Sequence, residues 1–361
     1  MFSLRITELP MPTGSRNPEV LLDWLMESMG LVRRRKDQTD GHTNVSPLHR
    51  MMMHTFLADP LRGWDSKAIG NETGMSNTGL HHHIVKLRES GLISSKVDGK
   101  WHRYVLRGGS ISAATSLASI EAKAILEIRL EEMSSIICDS KSRMGTPSEE
   151  EVPLSIRISE PGPRGEGPDS IGRLVDDLGL SGDNPREGET LPSRLLSSLG
   201  SSETPVTVMA LSERLSESRG RVQTVIQRMR KAGLVDRVPM LERIPQDIFT
   251  GIMRQLDARG EEWLLSKGGL GRLETGVQEA LLEASKDGTL EIEGVRRIIS
   301  EVPLQDQKIL VNTLGGRTPL GVRISGSDHS QVSQRVMRRV DRSLRRINTV
   351  AQRLQESLEG L

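Results

Sequence analysis

Three consecutive histidines, His81, His82 and His83, are the residues of this chain whose types most readily support chemistry. Imidazole nitrogens ligate metals, transfer protons and form hydrogen bonds to nucleic-acid bases. A two-histidine metal site on one helix needs a spacing of three or four residues, whereas adjacent helical residues point about 100° apart. Catalysis also needs a nucleophile with its base or a placed acid, and no such pattern stands out. We therefore expect no enzyme, no metal and no cofactor.

The histidines fall on the second of two short predicted helices. Asp65 or Ser66 can cap the first helix, which Gly74 ends, and Ser76 can cap the second, which Gly91 ends. The second helix has one apolar stripe at spacings of four and three, formed by Leu80, Ile84 and Leu87. The stripe predicts which face packs inward, so His81 and His82 should face outward and His83 should lean toward the core edge.

Elements on either side complete a recognisable order. The segment "LISSKVDGKWHRYVL" has two strand-like runs around Asp98 and Gly99, a strong two-residue hairpin signal. The upstream segment "PLHRMMMHTFLADP" predicts a helix with Met52, Phe56 and Leu57 as core residues. Helix, helix, turn, helix and hairpin is the order of a winged helix-turn-helix.

Residues 47–107 resemble the ArsR-type winged-helix family of transcription regulators. The matching positions are Ser76, His83, Ile84, Leu87, Gly91, Leu92 and Ile93. The resemblance implies a winged-helix fold and binding to double-stranded DNA. Metal sensors of that family carry a cysteine pair on a helix of this domain, whereas the one cysteine here, Cys138, lies outside it. The resemblance therefore does not extend to metal sensing.

Two groups of side chains are candidates for DNA contact in this segment. The helix offers short polar groups, imidazoles and one ammonium that suit base edges in the major groove, and the hairpin offers cations and a histidine that can reach phosphates. The helix candidates are Ser76, Asn77, Thr78, His81, His82 and Lys86. The hairpin candidates are Lys96, Lys100, His102 and Arg103.

A second copy appears when Gly91 is aligned with Gly233. The run "SNTGLHHHIVKLRESGLI" then lies over "SRGRVQTVIQRMRKAGLV", where the inward positions agree and the outward positions differ. This copy resembles MarR-like winged helices loosely, and its following segment "LVDRVPMLERIP" lacks a hairpin signal. Its candidates for DNA contact are Arg219, Arg221, Gln223, Thr224, Gln227 and Arg228. A solvated basic face is the alternative interpretation of this helix.

Composition and rhythm predict a mainly α fold with small β-wings. Aromatic residues are only 2% of the chain, so its cores must be aliphatic. We expect two winged helix-turn-helix domains and a C-terminal helical region that ends in a long helix. The predicted boundaries are an N-terminal extension with one helix at 1–46, winged helix 1 at 47–109, a helix at 110–143, a flexible linker at 144–188, winged helix 2 at 189–270 and the helical region at 271–361.

Two predicted helices leave alternatives open. The helix within 110–143, with Leu117, Ile120, Ala124 and Ile128 in helical rhythm, can pair two subunits or fold back on its own domain. The last helix, about 330–358, has an apolar stripe that fits a helical partner, and its arginines are either a phosphate-facing strip or a coiled-coil flank. The stretch "GGRTPLGVRISGSD" before it is expected to be a loop.

Bulk features narrow the setting. One cysteine excludes a disulfide framework within the chain, the start "MFSLRITELPMPTG" lacks a signal-peptide pattern, and no apolar run is long enough to span a membrane. We expect a cytoplasmic homodimer that binds double-stranded DNA. The formal net charge of +1 also fits an alternative, a winged-helix docking module in a chromosome-segregation or basal transcription complex. Affinity for DNA at low salt separates the two.

Overall fold

Helices dominate the protein, and its strands form three two-stranded antiparallel sheets within the described residues. A computed structural model describes residues 1–32, 46–148, 151–163, 170–182 and 190–360. One large aliphatic core includes both winged helices, as the low aromatic content predicted. Over these ranges no helix is both long and apolar enough to cross a bilayer.

The first winged helix follows the predicted order. Its helices are α2 (Pro47–Met51), which continues as a π-helix (Met52–Phe56), α3 (Ser66–Thr73) and α4 (Asn77–Glu89), and its strands are β2 (Ile93–Asp98) and β3 (Trp101–Leu106). The Asp65 side chain accepts a hydrogen bond from the Ala68 amide at 2.8 Å and so caps α3. Ser76 caps α4, and Gly74 ends α3 in the left-handed region with a φ of 67°. The two helices of the motif therefore begin and end where local capping chemistry predicts.

The hairpin turn lies one residue later than the sequence signal suggests. Asp98 pairs with Trp101, so Gly99 and Lys100 form the two-residue loop. Gly99 has a φ of 61°, which suits the first central position of a type II′ turn. All five residues of β2 after Ile93 are exposed, so the hairpin projects from the domain as a wing.

The second winged helix is interrupted by an inserted unit. It consists of α7 (Leu191–Gly200), α8 (Val208–Arg214), α9 (Arg219–Ala232), β5 (Val235–Pro239) and β6 (Leu320–Ile324). Strands β5 and β6 pair with Pro239 opposite Leu320. The stretch expected to be a loop before the last helix thus contains a strand, because its side chains Val322 and Ile324 are buried in the main core.

Between β5 and β6 stands a helical unit with its own core. Its helices are α10 (Ile244–Arg259), α11 (Glu261–Ser266), α12 (Thr275–Lys286), α13 (Ile292–Ile298) and α14 (Leu304–Thr313). A separate hydrophobic cluster, which includes Ile248, Leu281 and Leu310, fills this unit. The insertion spans the boundary at 270 that the sequence suggested between winged helix 2 and the C-terminal region.

A strand and a helix precede each winged helix. They are β1 (Ser3–Thr7) and α1 (Pro18–Ser28) in the first half, and β4 (Ser155–Ser159) and α6 (Ser170–Asp177) in the second. The segment predicted as a flexible linker therefore contains regular structure, since alternate residues Leu154, Ile156 and Ile158 are buried. Strands β1 and β4 pair with each other, and Arg5 lies opposite Arg157.

Each winged helix is followed by a helix, and these two helices pack together. They are α5 (Ile111–Glu131) and α15 (His329–Glu359). The Ile111 amide donates to Gln355 Oε1 at 3.3 Å, and near the opposite end of α5 Glu131 contacts His329 at 3.4 Å. The contacts run in opposite directions along the chain, so the helices are antiparallel.

The buried face of α5 differs from the predicted stripe. Small residues, Ala114, Ala118 and Ala122, are buried along it and allow close helix approach. Ile120 and Ile128, which the rhythm favoured as packing residues, are 67% and 60% exposed. The predicted stripe residues are thus largely exposed, whereas Ile111, Leu126 and Leu130 are buried together with the alanines.

Candidate nucleic-acid interface

The N-terminal half of α4 presents a continuous polar surface. Asn77, Thr78, His81 and His82 are all exposed, as is the capping residue Ser76. These side chains have the donors and acceptors that base edges in the major groove require. The exposure matches the prediction for His81 and His82, and their contact with DNA stays a prediction.

His83 is oriented differently from its two neighbours. Its side chain is half-buried, and its Nδ1 is buried without a hydrogen-bond partner among the described residues. Burial lowers the pKa of His83, and the nearby charges of His82 and Lys86 lower it further. The ring therefore lies at the edge of the core, where burial favours its neutral form, and apart from the exposed polar surface.

Lys86 and Arg228 each donate a hydrogen bond to a backbone carbonyl oxygen outside their own helix. Lys86 Nζ donates a hydrogen bond to the Leu31 carbonyl oxygen at 2.6 Å. In the second copy Arg228 Nη1 donates to the Leu180 carbonyl oxygen at 3.3 Å. Both side chains are half-buried and help to position α4 and α9, while Arg228 also lines a surface depression with Gln223 and Gln227. Contact of Lys86 and Arg228 with DNA stays a prediction.

The predicted phosphate contacts of the first wing differ in their surroundings. Lys96, Lys100 and His102 are exposed, in positions that reach outward from the domain. Arg103 instead contacts Asp98 at 3.3 Å and Asp65 at 3.5 Å, so it braces the wing against the start of α3. Of the predicted wing group, Arg103 is the one held in ion pairs.

Trp101 is a surface residue that was absent from the predicted DNA contacts. It follows the turn of the wing and is 71% exposed. Val97, on the partner strand, is also exposed. An apolar side chain at a hairpin tip beside Lys96 and Lys100 can pack against sugars or wedge into a minor groove. The signal was present in the sequence as a tryptophan at the first position after the turn.

The outward face of α9 is polar and basic. Arg219, Gln223 and Thr224 are exposed, and Gln227 is half-buried beside them. Arg221 contacts Glu217 at 2.6 Å, an ion pair that leaves most of its side chain exposed. No acidic residue occurs within α9 itself. Arginine and glutamine are suited to guanine and adenine edges, so this face can both read bases and neutralise phosphates.

The two copies agree in detail once Gly91 is aligned with Gly233. Trp64 exchanges backbone hydrogen bonds with Tyr104 at 2.7 and 2.8 Å, and Val206 exchanges them with Val322 at 2.8 and 2.9 Å. Each bond pair joins the start of a helix-turn-helix to the last strand of its wing sheet. The backbone of the second copy is therefore a winged helix even though its wing tip is replaced by the helical unit.

The comparison with protein families supports this assignment. Residues 190–240 match the MarR family. The matched segment covers α7, α8, α9 and β5, and it supports a winged-helix, DNA-binding transcription regulator. Comparison with curated proteins and with solved structures found no match. The ArsR-type resemblance of the first copy stays a prediction.

No group of three or more potential metal-ligating side chains occurs in the described part of the chain. The rings of His82 and His83 lie edge to face with centroids 5.6 Å apart, and only His83 points toward the core. The arrangement suits hydrogen bonding to a partner by His81 and His82.

Proposed function

We propose that the protein is a double-stranded DNA-binding transcription regulator that reads base edges with the N-terminal halves of α4 and α9. The observation that carries this proposal is the equivalent exposure of polar side chains at the start of both helices, His81 and His82 in one and Gln223 and Thr224 in the other. The MarR-family match of the second helix supports it.

Cations around these helices supply the sequence-independent part of the proposed binding. Lys96 and Lys100 stand on the wing of the first copy, and Arg219 and Arg221 stand at the start of α9. Contacts to phosphate fix the register of a protein on the duplex, while base contacts select the sequence. The net charge of +1 is no obstacle, since these cations are locally concentrated.

The test is a titration of a random-sequence duplex pool by fluorescence anisotropy at several salt concentrations. We expect dissociation constants of about 1–100 μM or tighter, and a steep loss of affinity with added salt as counterions are released. Capture of bound genomic fragments then identifies the target sites. Absence of binding to any duplex at low salt would contradict the proposal.

Oligomeric state and location belong to the proposal as well. We place the protein in the cytoplasm, together with the DNA it would bind. The homodimer expected from the sequence stays a prediction, because α5 already packs against α15 of the same chain. A second chain would have to use another surface.

One observation favours the alternative of a protein-docking module. The outer face of α5 exposes Leu117, Ile120 and Ile128 at helical spacing. Exposed apolar residues in such a row are typical of protein-protein contact sites. A docking module would bind random duplex DNA weakly at low salt, so the same titration separates the two functions.

A further inference from the structure

We infer that a single chain reads both halves of a DNA site, and that the two half-sites differ in sequence. This inference rests on the proposed DNA-binding function and specifies its substrate. A helix-turn-helix regulator ordinarily obtains two reading helices by pairing two identical subunits, which matches a palindromic site. Here the two reading helices lie within one polypeptide, and their outward side chains are unlike.

The strand pair β1–β4 has the symmetry of a dimer interface. The strands "SLRIT" and "SIRIS" share three of five residues and have similar residues at the other two, and they pair antiparallel about their own centres. Arg5 lies opposite Arg157, and Ser3 lies opposite Ser159. Two like strands that pair in this register are related by a local two-fold axis through the middle of the pair.

Each strand holds the reading helix of its own half by equivalent contacts. Gly30 and Gly179 both adopt positive φ, and a Cβ on either would lie 2.6 or 2.8 Å from the Cβ of Arg5 or Arg157, respectively. The residues that follow these glycines, Leu31 and Leu180, accept the hydrogen bonds of Lys86 on α4 and Arg228 on α9.

Each reading helix lies close to the β1–β4 pair. Lys86 of α4 lines the same depression as Arg5 and Arg157, on the outer face of the β1–β4 pair. Helix α9 also contacts β4. Because Arg228 has in α9 the aligned place and the equivalent hydrogen bond of Lys86 in α4, we infer that the local two-fold axis of the strand pair also relates α9 to α4. This is the disposition that places two helices along one face of a duplex.

The helices α5 and α15 complete the same symmetry. They pack antiparallel, and Ser119 Oγ donates to Asn348 Oδ1 at 3.2 Å near the middle of the contact. In addition β1 contacts α15 and β4 contacts α5, so each half leans on the last helix of the other. The pairing that two subunits would supply is already made within the chain.

Beyond the shared capping serines Ser76 and Ser218, four outward reading positions differ between the halves. In the alignment, Asn77 and Thr78 correspond to Arg219 and Gly220, and His81 and His82 correspond to Gln223 and Thr224. Arginine favours guanine and glutamine favours adenine, whereas the first copy offers amide, hydroxyl and imidazole groups. The first copy also has the wing hairpin where the second has the helical unit between β5 and β6. A palindrome would satisfy only one of the two copies.

The experiment is selection of duplexes from a randomised pool by the full chain, followed by native mass measurement of the selected complexes. We expect two unlike elements whose centres are about 10 base pairs, or a multiple of one helical turn, apart, with one 39.9 kDa chain for each duplex. Scrambling either element should weaken binding by about tenfold or more.

A palindromic consensus, or two chains for each site, would overturn the inference while leaving the DNA-binding function intact. A pool with no enriched duplex would overturn both.

A helix transplant tests the source of the asymmetry. The combined changes Arg219→Asn, Gly220→Thr, Gln223→His and Thr224→His give α9 the reading positions of α4. Gly220 has open space around it, so threonine fits there. We expect the selected site to become an inverted repeat with unchanged spacing.

The reciprocal change of α4, with Asn77→Arg, Thr78→Gly, His81→Gln and His82→Thr, provides a second variant if the first folds poorly. A matched control is Gln334→Ala with Gln352→Ala on the exposed face of α15, which should leave the site unchanged. An unaltered consensus in both folded transplants would refute the assignment.

Discussion

Lys86 and Leu31 are joined by a hydrogen bond of 2.6 Å from the ammonium to the backbone carbonyl oxygen. The bond fixes the C-terminal half of α4 to the segment that follows α1. We expect Lys86→Met to lower the free energy of unfolding by about 1 kcal/mol, the usual net value of such a bond. Urea unfolding measures this free energy.

The slope of log DNA affinity against log salt should not change in Lys86→Met, because the Lys86 ammonium is held by Leu31. A slope reduced by about 0.9 would instead show that Lys86 neutralises a phosphate.

Removing His81 and His82 together should relax sequence preference. His81→Ala with His82→Ala deletes the exposed imidazoles at the start of α4, and we expect specific and random duplexes to be bound with more nearly equal affinity. The specific site should be bound more weakly by about 1–3 kcal/mol for each base that is no longer read. The control is His54→Ala, which deletes an exposed histidine on the π-helix before α3. If the double variant binds every duplex more weakly by the same factor, the base-reading role is wrong.

Lys96 and Lys100 should act on all duplexes alike. The double variant Lys96→Ala and Lys100→Ala removes two exposed cations of the wing. The slope of log affinity against log salt should become shallower by about 0.9 for each phosphate that the protein no longer neutralises. Lys67→Ala, at an exposed lysine of α3, gives a comparison in which a cation is removed away from the wing. Identical slopes for wild type and double variant would place the wing away from DNA.

Ser216 has the same place in the second helix-turn-helix as Gly74 has in the first. Its φ is 52°, the one positive value at a non-glycine residue within the described ranges, and the φ of Gly74 is 67°. Left-handed backbone is costly for residues with a Cβ. We expect Ser216→Gly to raise the free energy of unfolding by about 0.5–1 kcal/mol and Gly74→Ser to lower it by a similar amount. Thermal or urea unfolding checks both, and effects of equal sign would contradict the argument.

His83 should make stability depend on pH. Burial lowers its pKa in the folded state, so the folded protein resists a proton that the unfolded chain accepts near its ordinary pKa of about 6.5. The free energy of unfolding should therefore fall as pH drops below about 6.5, and be unaffected by this group well above it. His83→Gln should flatten the curve between pH 7 and pH 5 by at most one proton's slope. If the free energy of unfolding of the wild type rises toward acid pH and this rise is lost in His83→Gln, the pKa of His83 is raised in the folded state and the argument is wrong.

Local patterns predicted the helix-turn-helix units well. The caps and the inward stripes depend on residues within one or two turns of each other, so Ser76, Leu80 and Ile84 could be placed without tertiary information. The second copy was found in the same way, by alignment of Gly91 with Gly233. The residues that determine these helices and caps lie within the helices and caps themselves.

Features that depend on distant partners could not be derived in this way. Strand β6 pairs with β5 across the whole inserted unit, so no local hairpin signal marks it. Lys86 and Arg228 lie at outward positions of their helices, yet long side chains can bend back to a carbonyl that tertiary packing brings near. In α5 the rhythm of Leu117, Ile120 and Ile128 suggested the packing face, but tertiary packing buries a neighbouring face that combines alanines with Leu126 and Leu130.

The strands β1 and β4 carry a second sign of duplication. The runs "SLRIT" and "SIRIS" stand at the start of the two halves and differ at only two of five positions. The spacers between these strands and the helix-turn-helix units differ in length, so an ungapped alignment that superposes Gly91 on Gly233 does not superpose the strands. An alignment that allows gaps is needed to superpose both the strands and the helix-turn-helix units of the two halves.

The insertion between β5 and β6 enters and leaves the winged helix at one point. Pro239 and Leu320 are cross-strand partners, so the ends of the inserted unit stand about 5 Å apart. The hydrophobic core of the inserted unit is separate from the main core, so the unit can be exchanged as one piece. The length and sequence of the inserted unit can therefore vary without changing the winged helix. Residues 240–319 can be replaced by the Gly-Lys turn of the first wing or by a reporter domain.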